Sequence, residues 1–279
     1  MKLIRFGGVG AEKPGLLDRD GQVRDLSSVI PDINPKSLGN MDWLAGVKPE
    51  SLPLVSNPGR IGPCVGGTGK FICIGLNYSD HAAETNSKVP SEPLIFMKAT
   101  SAICGPNDDI LIPRTSVKTD WEVELGVVIG KPAKYVTEAE ALGHVAGYCV
   151  INDVSERDFQ LNRVGQWSKG KSCDHFGPIG PWLVTAEEVA DPQNLKMWLK
   201  VNGEMRQNGS TATMFYRVGF LIAYLSQFFT LQPGDIISTG TPPGVGMGMN
   251  PQQFLKPGDR VELGIEGLGQ QSQVCSADL

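Results

Sequence analysis

The hydrophobic positions of this chain fall in short runs separated by glycine and proline, and stripes of helical period are few. Lys2-Leu3-Ile4-Arg5-Phe6, Phe71-Ile72-Cys73-Ile74, Leu94-Ile95-Phe96-Met97 and Ile236-Ile237-Ser238-Thr239 read as strands. Residues 16–23 read as a hairpin turning at Asp20-Gly21, and a last hairpin pairs residues 259–263 with those after Gly267. Three segments predict helices. The first runs from Asp80 to about Ser87, capped by Ser79 or Asp80. Thr137-Glu138-Ala139-Glu140 is a capping box that opens a second toward His144. The longest is capped by Ser210 or Thr211 and sets Met214, Val218, Leu221, Ile222, Leu225 and Phe229 on one face before the Pro233-Gly234 turn. These elements predict an α+β chain that is mainly β. A small β-rich N-terminal subdomain covers residues 1–66, the main domain covers 67–279, and the Pro- and Gly-rich residues from about 52 to 69 read as a linker.

One strand holds more than a pattern. In Asp120-Trp121-Glu122-Val123-Glu124-Leu125-Gly126-Val127-Val128-Ile129, alternation puts Glu122 and Glu124 on one face, roughly 7 Å apart. The run that follows is nearly unbroken in apolar residues, as in a strand buried on both faces. Two carboxylates leaving such a strand repel each other and lose hydration, which a cation between them relieves. The same residues also fit a half-buried strand, with both glutamates in water and Trp121, Val123 and Leu125 turned inward. Asp153, at the end of the apolar run 145–152, offers a third carboxylate, or else a turn residue. An all-oxygen set suits Mg²⁺ or Mn²⁺, and Ca²⁺ also fits.

His81 and Glu84 lie three apart on the first helix and share a face. A carboxylate beside an imidazole raises its basicity, as activation of a water requires, although an ordinary surface pair has the same spacing. Lys98 follows an apolar strand, and Lys171 sits in a polar loop. Beside a metal site a lysine pairs with an acidic ligand or stabilises an oxyanion; elsewhere it is simply solvated.

Composition narrows the classes. The 279 residues, 41% of them hydrophobic, suffice for one large domain or a small and a large one. No run approaches the roughly 18–20 apolar residues of a membrane span. The charged, short start has no signal-peptide core, which points to the cytoplasm. A net charge of −5 gives no basic patch for nucleic acid. Six scattered cysteines without a Cys-x-x-Cys pair read as free, buried thiols and not as a zinc site. Gly66-Gly67-Thr68-Gly69-Lys70 looks like a phosphate loop, but Phe71 stands where Ser or Thr is needed. Gly244-Val245-Gly246-Met247-Gly248 lacks the dinucleotide spacing and reads as a loop.

Several segments, taken in order, resemble the fumarylacetoacetate hydrolase superfamily over roughly residues 70–275. They are Gly75-Leu76-Asn77-Tyr78 through His81 and Glu84, Phe96-Met97-Lys98, Glu122-Val123-Glu124-Leu125 and Asn152-Asp153-Val154-Ser155-Glu156-Arg157-Asp158-Phe159-Gln160. Lys171-Ser172, Gly177-Pro178-Ile179-Gly180-Pro181 and Thr239-Gly240-Thr241-Pro242-Pro243-Gly244 complete the series. The branch it resembles is that of acylpyruvases and 2,4-diketo-3-deoxy sugar acid hydrolases. The resemblance implies a mixed β-roll or sandwich core in a homodimer, with Mg²⁺ or Mn²⁺ held by Glu122, Glu124 and Asp153. It implies His81 and Glu84 as the water-activating dyad and Lys171 as a further catalytic group, with Lys98, Arg157, Gln160 and Thr241 binding substrate. Cys173 departs from the pattern, which has a bulkier apolar residue there.

The implied reaction is hydrolysis of a C–C bond in a 2,4-diketo acid, giving pyruvate and a carboxylic acid. The diketo acid would be an acylpyruvate, including 2,4-diketo-3-deoxy-L-rhamnonate or -fuconate. Ureidoglycolate lysis, and decarboxylation or isomerisation of 2-oxo-diene dicarboxylates, use the same kind of site. A metal-stabilised module that only binds is an alternative of another class.

Overall fold

The computed structural model describes residues 1–78 and 90–278. The first expected helix, with His81 and Glu84, lies outside them. Among the described residues, the body is built on a ten-stranded mixed sheet and a five-stranded sheet packed against it. Nine strands of the large sheet run in the order Val23–Asp25, Lys13–Leu17, Lys2–Phe6, Gly177–Thr185, Val145–Asn152, Val123–Ile129, Ile236–Ser238, Phe71–Gly75 and Leu94–Lys98. The five-stranded sheet runs Glu204–Ser210, Lys196–Val201, Arg260–Ile265, Gly269–Ala277 and Ile110–Ile112. This is the mainly β, α+β architecture that the run pattern predicts.

The strand Val123–Ile129 is central and buried along its whole length. Its two faces go to different cores. Val123, Leu125, Val127 and Ile129 pack with Met197, Leu199, Val261 and Leu263 of the second sheet. Val128 faces the other way, into a cluster with Cys73, Cys149, Ile151 and the N-terminal Leu26, Ile33 and Leu38. Glu124 is in register with Ile151 and lies on the Val128 side by alternation. The same chain therefore buries apolar residues on both faces of one strand and delivers carboxylates at its end.

The N-terminal residues join this body in two ways. Lys2–Phe6 pairs antiparallel with Gly177–Thr185, which extends the large sheet. The stretch expected as a linker is not one. Cys64 and Val65 are buried in the second core, Gly62 N–H donates to Arg5 O, and Ile61 bridges Phe6. Pro and Gly here mark an irregular path across the body rather than a free connection.

The longest helix also begins later than expected. It spans Val218–Phe228, whereas Ser210 ends the strand Glu204–Ser210 and caps only the 3₁₀ turn Thr211–Thr213. Tertiary hydrogen bonds take the backbone groups that a longer helix would need: Phe215 N–H donates to Asn77 O and Tyr216 N–H to Asn77 Oδ1, both at 2.7 Å. The capping box at Thr137 forms as read, opening Glu138–Ala141. Two short turns that the hydrophobic pattern does not show, a π turn over Asp158–Asn162 and a helix over Ser168–Lys171, lie beside the end of the central strand. All six cysteines are free thiols. No helix among the described residues is long and apolar enough to cross a membrane.

Candidate active site

Glu122, Glu124 and Asp153 converge where the central strand and its neighbour Val145–Asn152 end. Each offers an oxygen within 4.8 Å of the other two, and all three residues are buried. The wet-face reading of the Glu-x-Glu strand is thereby excluded. Asp153 N–H donates to Glu122 O, so the backbone itself fixes the third acid beside the first.

Among the described residues, three cations surround the acids. Lys171 Nζ donates to Glu122 Oε2 and to Asp153 Oδ2, each at 2.7 Å. Lys98 Nζ donates to Asp153 Oδ1 and to Val154 O. Arg157 donates to Glu122 Oε1 at 2.7 Å, to Asp120 Oδ2 at 2.9 Å and to Gln160 Oε1 at 3.1 Å. Asp120 is held in turn by the backbone N–H groups of Trp121, Gly246 and Met247. Burial alone would lower the pKa of Lys171, but Asp153 and Glu122 more than offset it and hold the ammonium above its usual range.

Glu124 is different. It accepts from Ser238 Oγ at 2.5 Å and from Gly240 N–H at 2.9 Å, and it forms no ion pair among the described residues. Burial, then the charges of Asp153 and Glu122, push its pKa well above the usual 4.5. Among the described residues of the site, four buried carboxylates, counting Asp120, stand against three buried cations, and Glu124 is the one without an ion pair. A divalent cation among three hard oxygen donors would remove that imbalance, so the residues present fit Mg²⁺ or Mn²⁺. The donor Gly240 adopts φ +99°, a conformation that a side chain at this turn would strain.

Most of the residues expected at the site are together, in unequal positions. Glu122, Glu124, Asp153, Arg157, Gln160, Lys171 and Thr241 line one cavity of about 190 Å³. Lys98, expected to touch substrate, does not line it and lies behind Asp153. Thr241 does line it, but its hydroxyl donates to Val123 O and accepts from Gln207. Lys70, in the stretch that looks like a phosphate loop, pairs with Asp235. Among the described residues, the rest of the wall is Ile74, Gly75, Leu76, Phe96, Leu161, Trp167 and Met247.

Sequence reading gave no role to Trp167, Leu161 or Met247, or to the clamp on Asp120. No period marks residues 158–171, and the stretch 244–248 reads only as a loop. The one local signal is Gly170 between two lysines. A Cβ there would lie 2.3 Å from Glu156 O and 2.5 Å from Gln160 N, so glycine alone lets the Lys171 helix press onto the π turn. Gly170→Ala is therefore expected to leave the protein folded and to lower turnover about a hundredfold, the cost of a displacement near 1 Å at a reacting centre. Steady-state kinetics beside circular dichroism would check this.

Comparison with known proteins decides the family. Residues 70–275 match the pattern of the fumarylacetoacetate (FAA) hydrolase C-terminal family. The chain belongs to the fumarylacetoacetate hydrolase family. A Burkholderia multivorans protein provisionally called a hydrolase is 62% identical over 280 residues, with 99% of each chain covered. Two solved members of the family span both kinds of chemistry. Maleylpyruvate hydrolase from Sphingobium sp. SYK-6, solved with manganese(II) and pyruvate, is 27% identical with a TM-score of 0.79 and full coverage of both chains. The 2-hydroxyhepta-2,4-diene-1,7-dioate isomerase from Mycobacterium marinum is 30% identical with a TM-score of 0.75, over 100% of this chain and 99% of that one.

Proposed function

We propose that the protein is a metal-dependent hydrolase that cleaves the C3–C4 bond of an acylpyruvate to give pyruvate and a carboxylic acid. The observation that carries this reading is the buried Glu122–Glu124–Asp153 triad opening on a cavity. Glu122, Glu124 and Asp153 would hold Mg²⁺ or Mn²⁺, which would supply Lewis-acid stabilisation of the negative charge that develops as the C3–C4 bond breaks. A relative with manganese(II) and pyruvate supports that assignment.

The protein's own groups supply the rest. Lys171 bridges Glu122 and Asp153, and Arg157 ties Glu122 to Asp120, so two of the ligands are set before substrate arrives. Gln160 lines the cavity with its carbonyl oxygen taken by Arg157, and its amide N–H groups would donate to a substrate oxygen. His81, oriented by Glu84, would take the proton of the water that attacks C4; both residues lie outside the described ones. Phe96 and Trp167, ring centroids 5.3 Å apart, wall the cavity with apolar surface and limit water. The family resemblance also supports a cytoplasmic homodimer.

A substrate panel tests the reading against its alternatives. Acetylpyruvate, a 2,4-diketo-3-deoxy sugar acid, ureidoglycolate and a 2-oxo-diene dicarboxylate would be offered with Mg²⁺ and their products identified. Pyruvate with one equivalent of acid, from a diketo acid, is the expected result. Turnover of the diene or of ureidoglycolate alone would overturn it, and no turnover at all would favour a binding module.

A further inference from the structure

The cavity is divided by charge, and the division bears on which acids it can hold. Its ionic groups, among the described residues, are Glu122, Glu124, Asp153, Arg157 and Lys171, gathered about the acid triad. Of the lining cations, Lys171 is bound to Glu122 and Asp153, and Arg157 to Glu122 and Asp120. The remaining Arg157 nitrogen donates to Gln160 Oε1, so both cations are already engaged by side chains of the site. Among the described residues, the remaining wall carries no charge: Leu76, Phe96, Leu161, Trp167 and Met247 are apolar, and Gln160 and Thr241 are neutral. This wall is continuous with the ionic end, because Lys171 Nζ lies 5.0 Å from the Phe96 ring centroid and Phe96 packs edge-on against Trp167.

We infer that the site selects 2-oxo acids whose far end is uncharged and apolar, and that Leu161 and Trp167 enforce this against dicarboxylates. The inference rests on the reading of the triad as the seat of a 2-oxo acid. A carboxylate carried against this wall loses hydration and meets no cation among the described residues, whereas an alkyl end gains by leaving water. Each buried methylene in an apolar pocket is worth roughly tenfold or more in discrimination, and an unpaired buried polar group far more. The selectivity would separate this protein from family members that act on dioates.

Binding, rather than turnover, is the direct test. The Mg²⁺-loaded protein would be titrated by calorimetry with 2-oxopentanoate and with 2-oxoglutarate, which differ only by a methyl or a carboxylate at C5. The expected result is a Kd at least about tenfold lower for 2-oxopentanoate. Leu161 is 41% exposed, so an arginine is tolerable there. Leu161→Arg is expected to shrink or invert the preference by strengthening 2-oxoglutarate alone. Equal or tighter binding of 2-oxoglutarate by the parent would overturn the inference, as would failure of both acids to bind. A clear preference in a protein that cleaves no acylpyruvate would overturn the hydrolase reading and leave the selectivity standing.

Discussion

Glu124→Gln is expected to abolish divalent-metal binding, to lower turnover by about a thousandfold, and yet to stabilise the metal-free protein at alkaline pH. The first two follow from losing one of three hard ligands and with it several kcal/mol of charge stabilisation. The third follows from the burial of Glu124 without an ion pair among the described residues. Its folded-state pKa lies well above 4.5, because of burial and then of Asp153 and Glu122. The folded protein thus binds this proton more tightly than the unfolded chain does. Stability from this group is complete below 4.5 and declines as pH rises toward the raised folded value. Glutamine has no proton to lose and escapes the decline. Calorimetric melting in EDTA from pH 5 to 9 should show the variant overtaking the parent as pH rises. Manganese titration should show a site in the parent, filled with release of a proton, and none in the variant. A variant that binds Mn²⁺ like the parent would remove Glu124 from the ligand set.

His81→Ala is expected to separate binding from hydrolysis. A positioned general base contributes about 10²–10⁴-fold to rate. Its loss should cut acylpyruvate hydrolysis by that factor and leave Mn²⁺ affinity and 2-oxo acid binding unchanged, since the triad and its lysines supply those. Glu84→Gln should fall between parent and His81→Ala and shift the pH profile, because Glu84 acts through the imidazole and touches no reacting atom. Hydrolysis at the parent rate by the His81 variant would show that another group, or the triad alone, activates the water.

The parts of this protein legible from sequence are those that repeat or alternate. Period-two alternation placed Glu122 and Glu124 on one face, and the apolar run after them foretold burial on both sides, which the two cores bear out. The Thr137 capping box and both hairpins were equally local, and formed as read. What escaped was set by contacts distant in sequence. The helix stripe through Met214 was real, but Asn77, more than a hundred residues away, takes the backbone at 215 and 216 and delays the helix to Val218. Lys98 and Lys171 looked alike as lysines near the acids. Only the fold puts Lys171 on the cavity and Lys98 behind Asp153. The glycine-rich stretch 244–248 carried no motif of its own, yet its backbone clamps Asp120, which anchors Arg157.

Removing the metal from the enzyme tests the central claim most directly. Pyruvate release from acetylpyruvate would be followed after exhaustive chelation and again after adding back Mg²⁺ or Mn²⁺. Release should be negligible in the stripped protein and return with one equivalent of ion per chain, with pyruvate and acetate formed in equal amounts. Undiminished release from the stripped protein would contradict the assignment of Glu122, Glu124 and Asp153 as a catalytic metal site.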